Sequence, residues 1–469
     1  MTQDELAGFV AKTAEEFGIP GVAVGVLVEG QEVVVTHGVT SVDNPQPIDR
    51  NTLFHIASVT KTFTATALLR LVSQGKVELD APVRRYVPEL NLMDEDVAER
   101  ITVLNLLNHT AGLDWNLIDP DDGDLSLAAF VGKLATLPII AAPGSRASYS
   151  QAGYNLAGRI IENVTGMPYE KAISDLLLEP LELSNTVFDL DDVIIRKFAV
   201  GHNPDADGTL RPAVPWKANR AGERGNNPGG GAVSTVGDLL RWARFHLGTG
   251  DGLLPTEALH GMRDETITLR ASTMGDGFGI CWFLRAVDGV RMIGHGGSGN
   301  GQYAELLVVP DRDFAVVSLT NAGPDGYTFN QAVVRWVLEN YLGLVEREPE
   351  PIAYDETRAR EVVGRYENDA MNLDVASDGA QVTLAVEIKP ELREASDVEM
   401  PPDLAAAAIG FLPDDEYIVT AGGLAGQRGY FSRTPEGSTS DGSTTDGSTP
   451  DGPITGIDLA GRLFTRTSS

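Results

Sequence analysis

The residues best suited to chemistry begin at Ala57-Ser58-Val59-Thr60-Lys61. A serine opening a helix holds its hydroxyl near the positive end of the helix dipole. A lysine three residues on returns to the same face one turn later. Kept out of water, a lysine can lose its proton near neutral pH and act as a base toward an adjacent hydroxyl. Ser58 is therefore read as a nucleophile and Lys61 as its base, against the alternative that Ser58 only caps the helix. The spacing alone does not decide, because Ser73-Gln74-Gly75-Lys76 repeats it. That second match lies where Gly75 breaks the helical run, so Ser73 is read as a helix-end residue.

Two further segments add chemistry. Tyr149-Ser150-Gln151 stands just before a helical pattern from Gly153 to Val164, where the Tyr149 phenol can reach a serine–lysine pair. Gly294-His295-Gly296-Gly297-Ser298-Gly299 precedes an apolar run starting at Tyr303. Glycines there, Gly297 among them, let a substrate backbone approach closely, and a free N–H can serve an oxyanion.

The elements that must position these residues are legible as periodic runs. Asp4 to Phe17 predicts an amphipathic helix, stopped at Gly18-Ile19-Pro20-Gly21. Val22 to Val28 and Val33 to Thr36 flank Glu29-Gly30-Gln31-Glu32 as a hairpin. Thr60 to Leu71 predicts a strong helix, and a helix-rich, Asp-rich stretch runs from about 80 to 245. Tyr303 to Val309 and Phe314 to Leu319 make a second hairpin, and Val333 to Leu342 a closing helix. Cys281, in Phe278-Gly279-Ile280-Cys281-Trp282-Phe283, reads as strand core. The whole predicts an α/β (α+β) unit over 1–345, its largely antiparallel sheet drawn from both ends of the segment. Glu346-Arg347-Glu348-Pro349-Glu350-Pro351 is a charged, proline-stiffened linker, placed at 346–353. Short alternating runs after it predict an all-β domain over 354–469. Near-repeats of Ser-Thr-(Thr/Pro)-Asp-Gly cannot build a core and predict a mobile loop over 434–453.

Composition narrows the partners. The 469 residues carry 67 acidic and 36 basic side chains, a net charge of −31, and only eight of the basic residues are lysine. A field of that sign repels nucleic-acid phosphates and anionic membranes. Acid-rich, lysine-poor surfaces suit high salt, where cations screen the repulsion, and point to a halophilic source. One cysteine excludes an intrachain disulfide framework. No secretory signal and no apolar run long enough to span a bilayer is visible, so the chain is read as soluble and cytoplasmic. The other histidines, His37, His55, His109, His202, His246 and His260, lack metal-ligand spacing; His55 and His109 are read as hydrogen-bonded locally in packed positions. No metal or other cofactor is expected. Neither a Gly-x-Ser-x-Gly elbow nor a phosphate-binding Gly-rich loop ending in Lys-Ser/Thr is present.

Taken together, the three segments resemble the serine β-lactamase, penicillin-binding-protein and CubicO-type esterase/peptidase superfamily, over roughly residues 5–345. Ser58 and Lys61 match its Ser-x-x-Lys motif, and His295-Gly296-Gly297 matches Lys/His-x-Gly. Tyr149 matches Tyr-x-Asn at the first place, but Gln151 stands at the third. Leu106-Leu107-Asn108-His109-Thr110-Ala111-Gly112-Leu113 and Gly230-Gly231-Ala232-Val233-Ser234-Thr235 are further family-like stretches. Val363-Gly364-Arg365-Tyr366 and Gly461-Arg462-Leu463-Phe464 resemble parts of the lipocalin-like barrel appended to some CubicO-type enzymes. A second Tyr-x-Asn, Tyr366-Glu367-Asn368, is read as a strand and turn of that barrel.

The resemblance implies a β-lactamase/transpeptidase-like fold, an antiparallel sheet flanked by helices with a helical insert. It implies that Ser58 attacks a carbonyl and forms an acyl-enzyme, with Lys61 and Tyr149 sharing the proton traffic. Neighbouring positive charge would favour their deprotonated forms. The oxyanion would lie between the N–H groups of Ser58 and Ser298. His295 would bind a substrate carboxylate when protonated or tune Tyr149 when neutral. Gln151 would address a substrate amide from a different place than asparagine, which implies weak β-lactam turnover. The substrate is then a small peptide, amide or ester. β-Lactamase or D,D-carboxypeptidase activity and a non-catalytic binding or scaffold role remain the alternatives, and a homo-oligomer stays open because some relatives form closed assemblies.

Overall fold

The computed structural model describes residues 2–117, 126–205, 207–214, 216, 224–272, 274–323, 325–395, 403–433 and 452–467. The tract expected as a mobile loop over 434–453 lies, apart from 452 and 453, outside the described residues.

One eight-stranded antiparallel sheet organises the first part of the chain. Its strands are β1 (Gly21–Val28), β2 (Gln31–Gly38), β3 (Ile267–Ser272), β4 (Gly275–Phe278), β5 (Phe283–Val287), β6 (Val290–Ser298), β7 (Tyr303–Val309) and β8 (Phe314–Thr320), in the order β2-β1-β8-β7-β6-β5-β4-β3. The expected hairpins are present, and β1 pairs directly with β8, joining the two ends of the segment.

The central strands are apolar at consecutive positions because both faces are covered. Val22, Val24 and Val26 of β1, with Val316 of β8, face α1 (Gln3–Glu16) and a late helix, Gly326–Val337. Ala23 and Leu27, with Val317 and Leu319, face the larger helical layer. That layer contains α2 (Thr60–Ser73), α3 (Gln151–Thr165) and α4 (Val236–Leu247); Gly326–Val337 is α5. α4 lies close on the sheet at Gly25, where a Cβ would meet Leu240 and Val236 at 2.8 Å.

Two local expectations change. The closing helix starts at Gly326 rather than Val333. Cys281 is buried as expected, but it sits in the turn between β4 and β5 with φ +73°, its N–H on the Leu107 carbonyl.

Residues 343–355 have no regular secondary structure, yet they are tied down. Glu346 pairs with Arg285 at 3.0 Å and Glu348 with Arg335 at 2.8 Å. A closed antiparallel barrel follows: β9 (Gly364–Glu367), β10 (Met371–Ser377), β11 (Val382–Ile388), β12 (Leu404–Phe411), β13 (Glu416–Val419), β14 (Arg428–Arg433), β15 (Ile454–Leu459) and β16 (Arg462–Arg466). Alternate residues fill it, among them Tyr366, Leu373, Leu384, Phe411, Tyr417, Phe431 and Phe464, as expected for a small barrel with a packed interior.

The barrel docks through polar contacts. Asp369 N–H donates to Asp114 Oδ2 (2.9 Å), Arg146 to the Tyr430 hydroxyl (2.9 Å), and Arg428 to the Ser272 carbonyl (3.1 Å). Its β15–β16 turn reaches the helical layer at Tyr149, whose N–H donates to the Gly461 carbonyl at 2.8 Å.

Candidate active site

Ser58 sits in a short 3-10 turn, Ala57–Val59, that leads into α2. The N-terminus of α2 carries no side-chain cap, so Ser58 does not act as one. The turn is held from beneath: Thr60 Oγ1 donates to the Ala57 carbonyl (2.6 Å) and accepts from Ala232 N–H (3.0 Å). Ala57 adopts φ +43°, a conformation costly for a side-chain-bearing residue and typical of functional turns.

Lys61 follows one turn on and is fully buried. Its Nζ lies 3.0 Å from Ser58 Oγ, 2.6 Å from Gln151 Oε1 and 2.6 Å from the Gly229 carbonyl oxygen. Burial drives its pKa well below the usual lysine range; the Arg462 charge acts in the same direction, and Cys281 opposes them. A neutral amine has two hydrogens and one lone pair. The two carbonyl oxygens can only accept, so they take the hydrogens and leave the lone pair for the Ser58 hydroxyl.

Gln151 opens α3, where the Ser150 hydroxyl caps by accepting from Gly153 N–H at 3.1 Å. The longer amide is accommodated because residue 229 is glycine: a Cβ there would lie 2.2 Å from Gln151 Nε2.

Tyr149 is buried, its hydroxyl on the Ser58 side and its ring 4.8 Å from Lys61 Nζ. Its pKa moves up, not down. Burial outweighs the influence of Ser58 and of the Arg462 charge, so Tyr149 is a neutral phenol. The His109 ring lies tilted against it, ring centres 4.4 Å apart, and accepts Ser150 N–H on Nδ1 (3.0 Å). Burial keeps His109 neutral.

His295 lies on β6 with its ring centre 6.2 Å from that of Tyr149. Burial, with Lys61 adding to it, pushes its pKa down to about 3. Nδ1 is 2.7 Å from the Gly296 carbonyl and must donate to it, so Nε2 carries a lone pair, buried and without a partner. Of the two roles expected for His295, the geometry suits the neutral one beside Tyr149.

β6 then passes the nucleophile turn at Gly297. A Cβ on that residue would meet the Ile56 carbonyl oxygen at 2.2 Å and Ser58 N at 3.3 Å. The absent side chain lets the Gly297-Ser298 backbone run alongside that of Ser58, as an oxyanion site formed by two strands of backbone requires.

Ser58, Lys61, Tyr149, Gln151, His295 and the Gly297-Ser298 backbone thus come together at one place. The sequence reading did not include Gly229, Trp115 or Arg462 in it. Arg462 follows the turn that holds Tyr149, and its guanidinium carbon lies 5.1 Å from the Tyr149 ring centre and 5.5 Å from that of Trp115. Gly461-Arg462 reads locally as a hairpin turn, and nothing in its spacing signals the cleft.

Among the described residues no cluster of histidine, cysteine, aspartate or glutamate is arranged for a metal ion, and no helix is long and apolar enough to cross a membrane. A serine loaded by a buried lysine on a sheet-backed helix defines a class, the serine hydrolases that work without a catalytic histidine–aspartate pair. Comparison narrows the class: the Beta-lactamase family model matches residues 6–336, and the chain belongs to that family, among the penicillin-binding-protein-related serine hydrolases of amide and ester bonds. It is similar to penicillin-binding protein 4 of Amycolatopsis lactamdurans (32% identical over 316 residues, 66% of this chain and 82% of that one). It is also similar to esterase EstB of Burkholderia gladioli (31% over 322 residues, 60% and 80%). Among solved structures, SurE resembles it across both lobes (TM-score 0.72, 25% identity, 99% of each chain). The octameric penicillin-binding protein homologue from Pyrococcus abyssi shares the fold (TM-score 0.67, 24% identity, 99% of this chain and 100% of that one).

Proposed function

We infer that the protein is an acyl-enzyme-forming hydrolase, a peptidase or carboxylesterase, with Ser58 as nucleophile. The observation that carries this is the 3.0 Å approach of the fully buried Lys61 Nζ to Ser58 Oγ. Ser58 attacks the carbonyl carbon while its proton passes to Lys61. The N–H groups of Ser58 and Ser298 take the developing negative charge, and each such donor contributes about 2.7–4 kcal/mol to the transition state. The Tyr149 phenol, being neutral, donates to the leaving nitrogen or oxygen and is reprotonated from Lys61. The acyl-enzyme forms and Lys61 is neutral again, ready to deprotonate the attacking water. Neutral His295 supports Tyr149 from across the cleft. Gln151 is engaged by Lys61, which supports slow rather than efficient turnover of β-lactams.

The division into a catalytic lobe (1–345), a linker (346–353) and a lipocalin-like barrel lobe (354–469) belongs to the same proposal. Treating the full-length protein with a fluorophosphonate reagent and comparing it with Ser58→Ala by intact mass tests the assignment. A single adduct present only in the unsubstituted protein is expected. An adduct that persists in Ser58→Ala, or none on the folded protein, would overturn it and favour the binding or scaffold reading.

A further inference from the structure

Lys61 can leave its lone pair to Ser58 only while two carbonyl oxygens, Gln151 Oε1 and that of Gly229, stay on its hydrogens at 2.6 Å each. Neither is fixed by its own chain. A glutamine amide can turn over and present its NH2 group instead, and Gly229 begins a run of three glycines, the backbone freest to rotate. What holds them is a second amide, Asn155, one helical turn beyond Gln151 on α3 and fully buried. Its Oδ1 accepts Gly229 N–H at 3.2 Å, and its Nδ2 donates to Asn226 Oδ1 at 2.7 Å. Asn226 extends the hold to both acceptors through its backbone carbonyl. That oxygen accepts Gly230 N–H at 3.1 Å. A trans peptide points its N–H and C=O in opposite directions, so the Gly229 carbonyl is turned toward Lys61. The same Asn226 oxygen takes Gln151 Nε2 at 3.5 Å, which leaves Oε1 for the amine.

We propose that Asn155 is a positioning residue for the Lys61 base, holding both of the amine's carbonyl acceptors through Gly229 and Asn226. This deepens the hydrolase reading and rests on it for the word base, whereas the state of the amine itself can be measured without turnover. Asparagine suits the place because its head accepts at one atom and donates at the other; leucine, of similar size, does neither. Burial is what holds Lys61 neutral. With the Asn155 amide gone, the glycine run and the Gln151 side chain are free to turn. Water then reaches the amine, which keeps its proton to higher pH.

The test is a carbon-13 NMR titration of the full-length protein with labelled lysine. The chain has only eight lysines, and the Lys61 signal is the one missing from Lys61→Arg. Its midpoint is expected to rise by about one pH unit or more in Asn155→Leu, and by less in Asn226→Ala, which keeps the backbone carbonyl. The burst rate with a neutral aryl ester should fall about tenfold in Asn155→Leu. Adding Gln151→Ala should then slow it by less than Gln151→Ala does alone, because the two side chains belong to one network. A midpoint that stays in place or falls in a folded variant, independent effects of Asn155→Leu and Gln151→Ala, or loss of the fold in both Asn155→Leu and Asn226→Ala would overturn the proposal. Fluorophosphonate labelling of Ser58 reports on the hydrolase reading separately, since the lysine titration needs no reactive serine.

Discussion

At the scale of single residues, Lys61 works only if its two hydrogens are directed elsewhere, and Gln151 directs one of them. Replacing Gln151 with alanine leaves the amine free to rotate a hydrogen toward Ser58, the wrong polarity for a base. Acylation by a neutral aryl ester is expected to fall about tenfold to a hundredfold in Gln151→Ala, the cost of one buried hydrogen bond to a reacting group; the burst rate of a folded variant checks it. Ser58, Lys61, Tyr149 and His295 could be singled out in the sequence because the roles proposed for them attach to local features, a helix start or a strand end. Their protonation states were not. Neighbouring positive charge predicted a depressed Tyr149 pKa, but burial, which depends on the whole fold, reverses it. The same burial keeps the His295 ring neutral.

Among the elements, the decisive contact is β6 against the nucleophile turn. Gly297 has no room for a side chain because the Ile56 carbonyl lies where a Cβ would be. Gly297→Ala is therefore expected to push β6 away from Ser58 and open the oxyanion site. A loss of about a hundredfold or more in turnover, with the melting temperature changed much less, would match the removal of one oxyanion donor. The hairpins β1–β2 and β7–β8 were readable from composition and turn residues within a few positions. α5 was read too late because it starts at Gly326, which looks like a breaker. That glycine is there for packing: a Cβ would lie 2.6 Å from Thr320 Oγ1 and 2.8 Å from the Tyr303 ring. Cys281 read as strand because its neighbours are apolar, whereas the chain turns there, with its N–H on the Leu107 carbonyl.

For the whole molecule, the barrel's place in the active site was the least legible feature. Runs along the chain predict a barrel, but the docking of one lobe on another depends on scattered contacts such as Arg146 with Tyr430. The net charge of −31 is also a property of the whole surface. Repulsion among 67 carboxylates and only 36 cations should weaken the fold at low ionic strength. The melting temperature is expected to rise as KCl goes from about 0.1 M to about 2 M, where the Debye length shrinks to a few ångströms. A flat or falling curve would remove the argument for a high-salt source.

For Ser58 to attack, a neutral Lys61 must take its proton. Only the deprotonated amine can do so, so the acylation rate must rise with pH through the Lys61 pKa and then level off. Burial places that pKa well below 10.5, so the measurement is the pre-steady-state burst rate with a neutral aryl ester from about pH 5 to about pH 10. A plateau reached well before the upper end of that range is expected. A rate still climbing through pH 10, as for a solvent-exposed lysine, would contradict it.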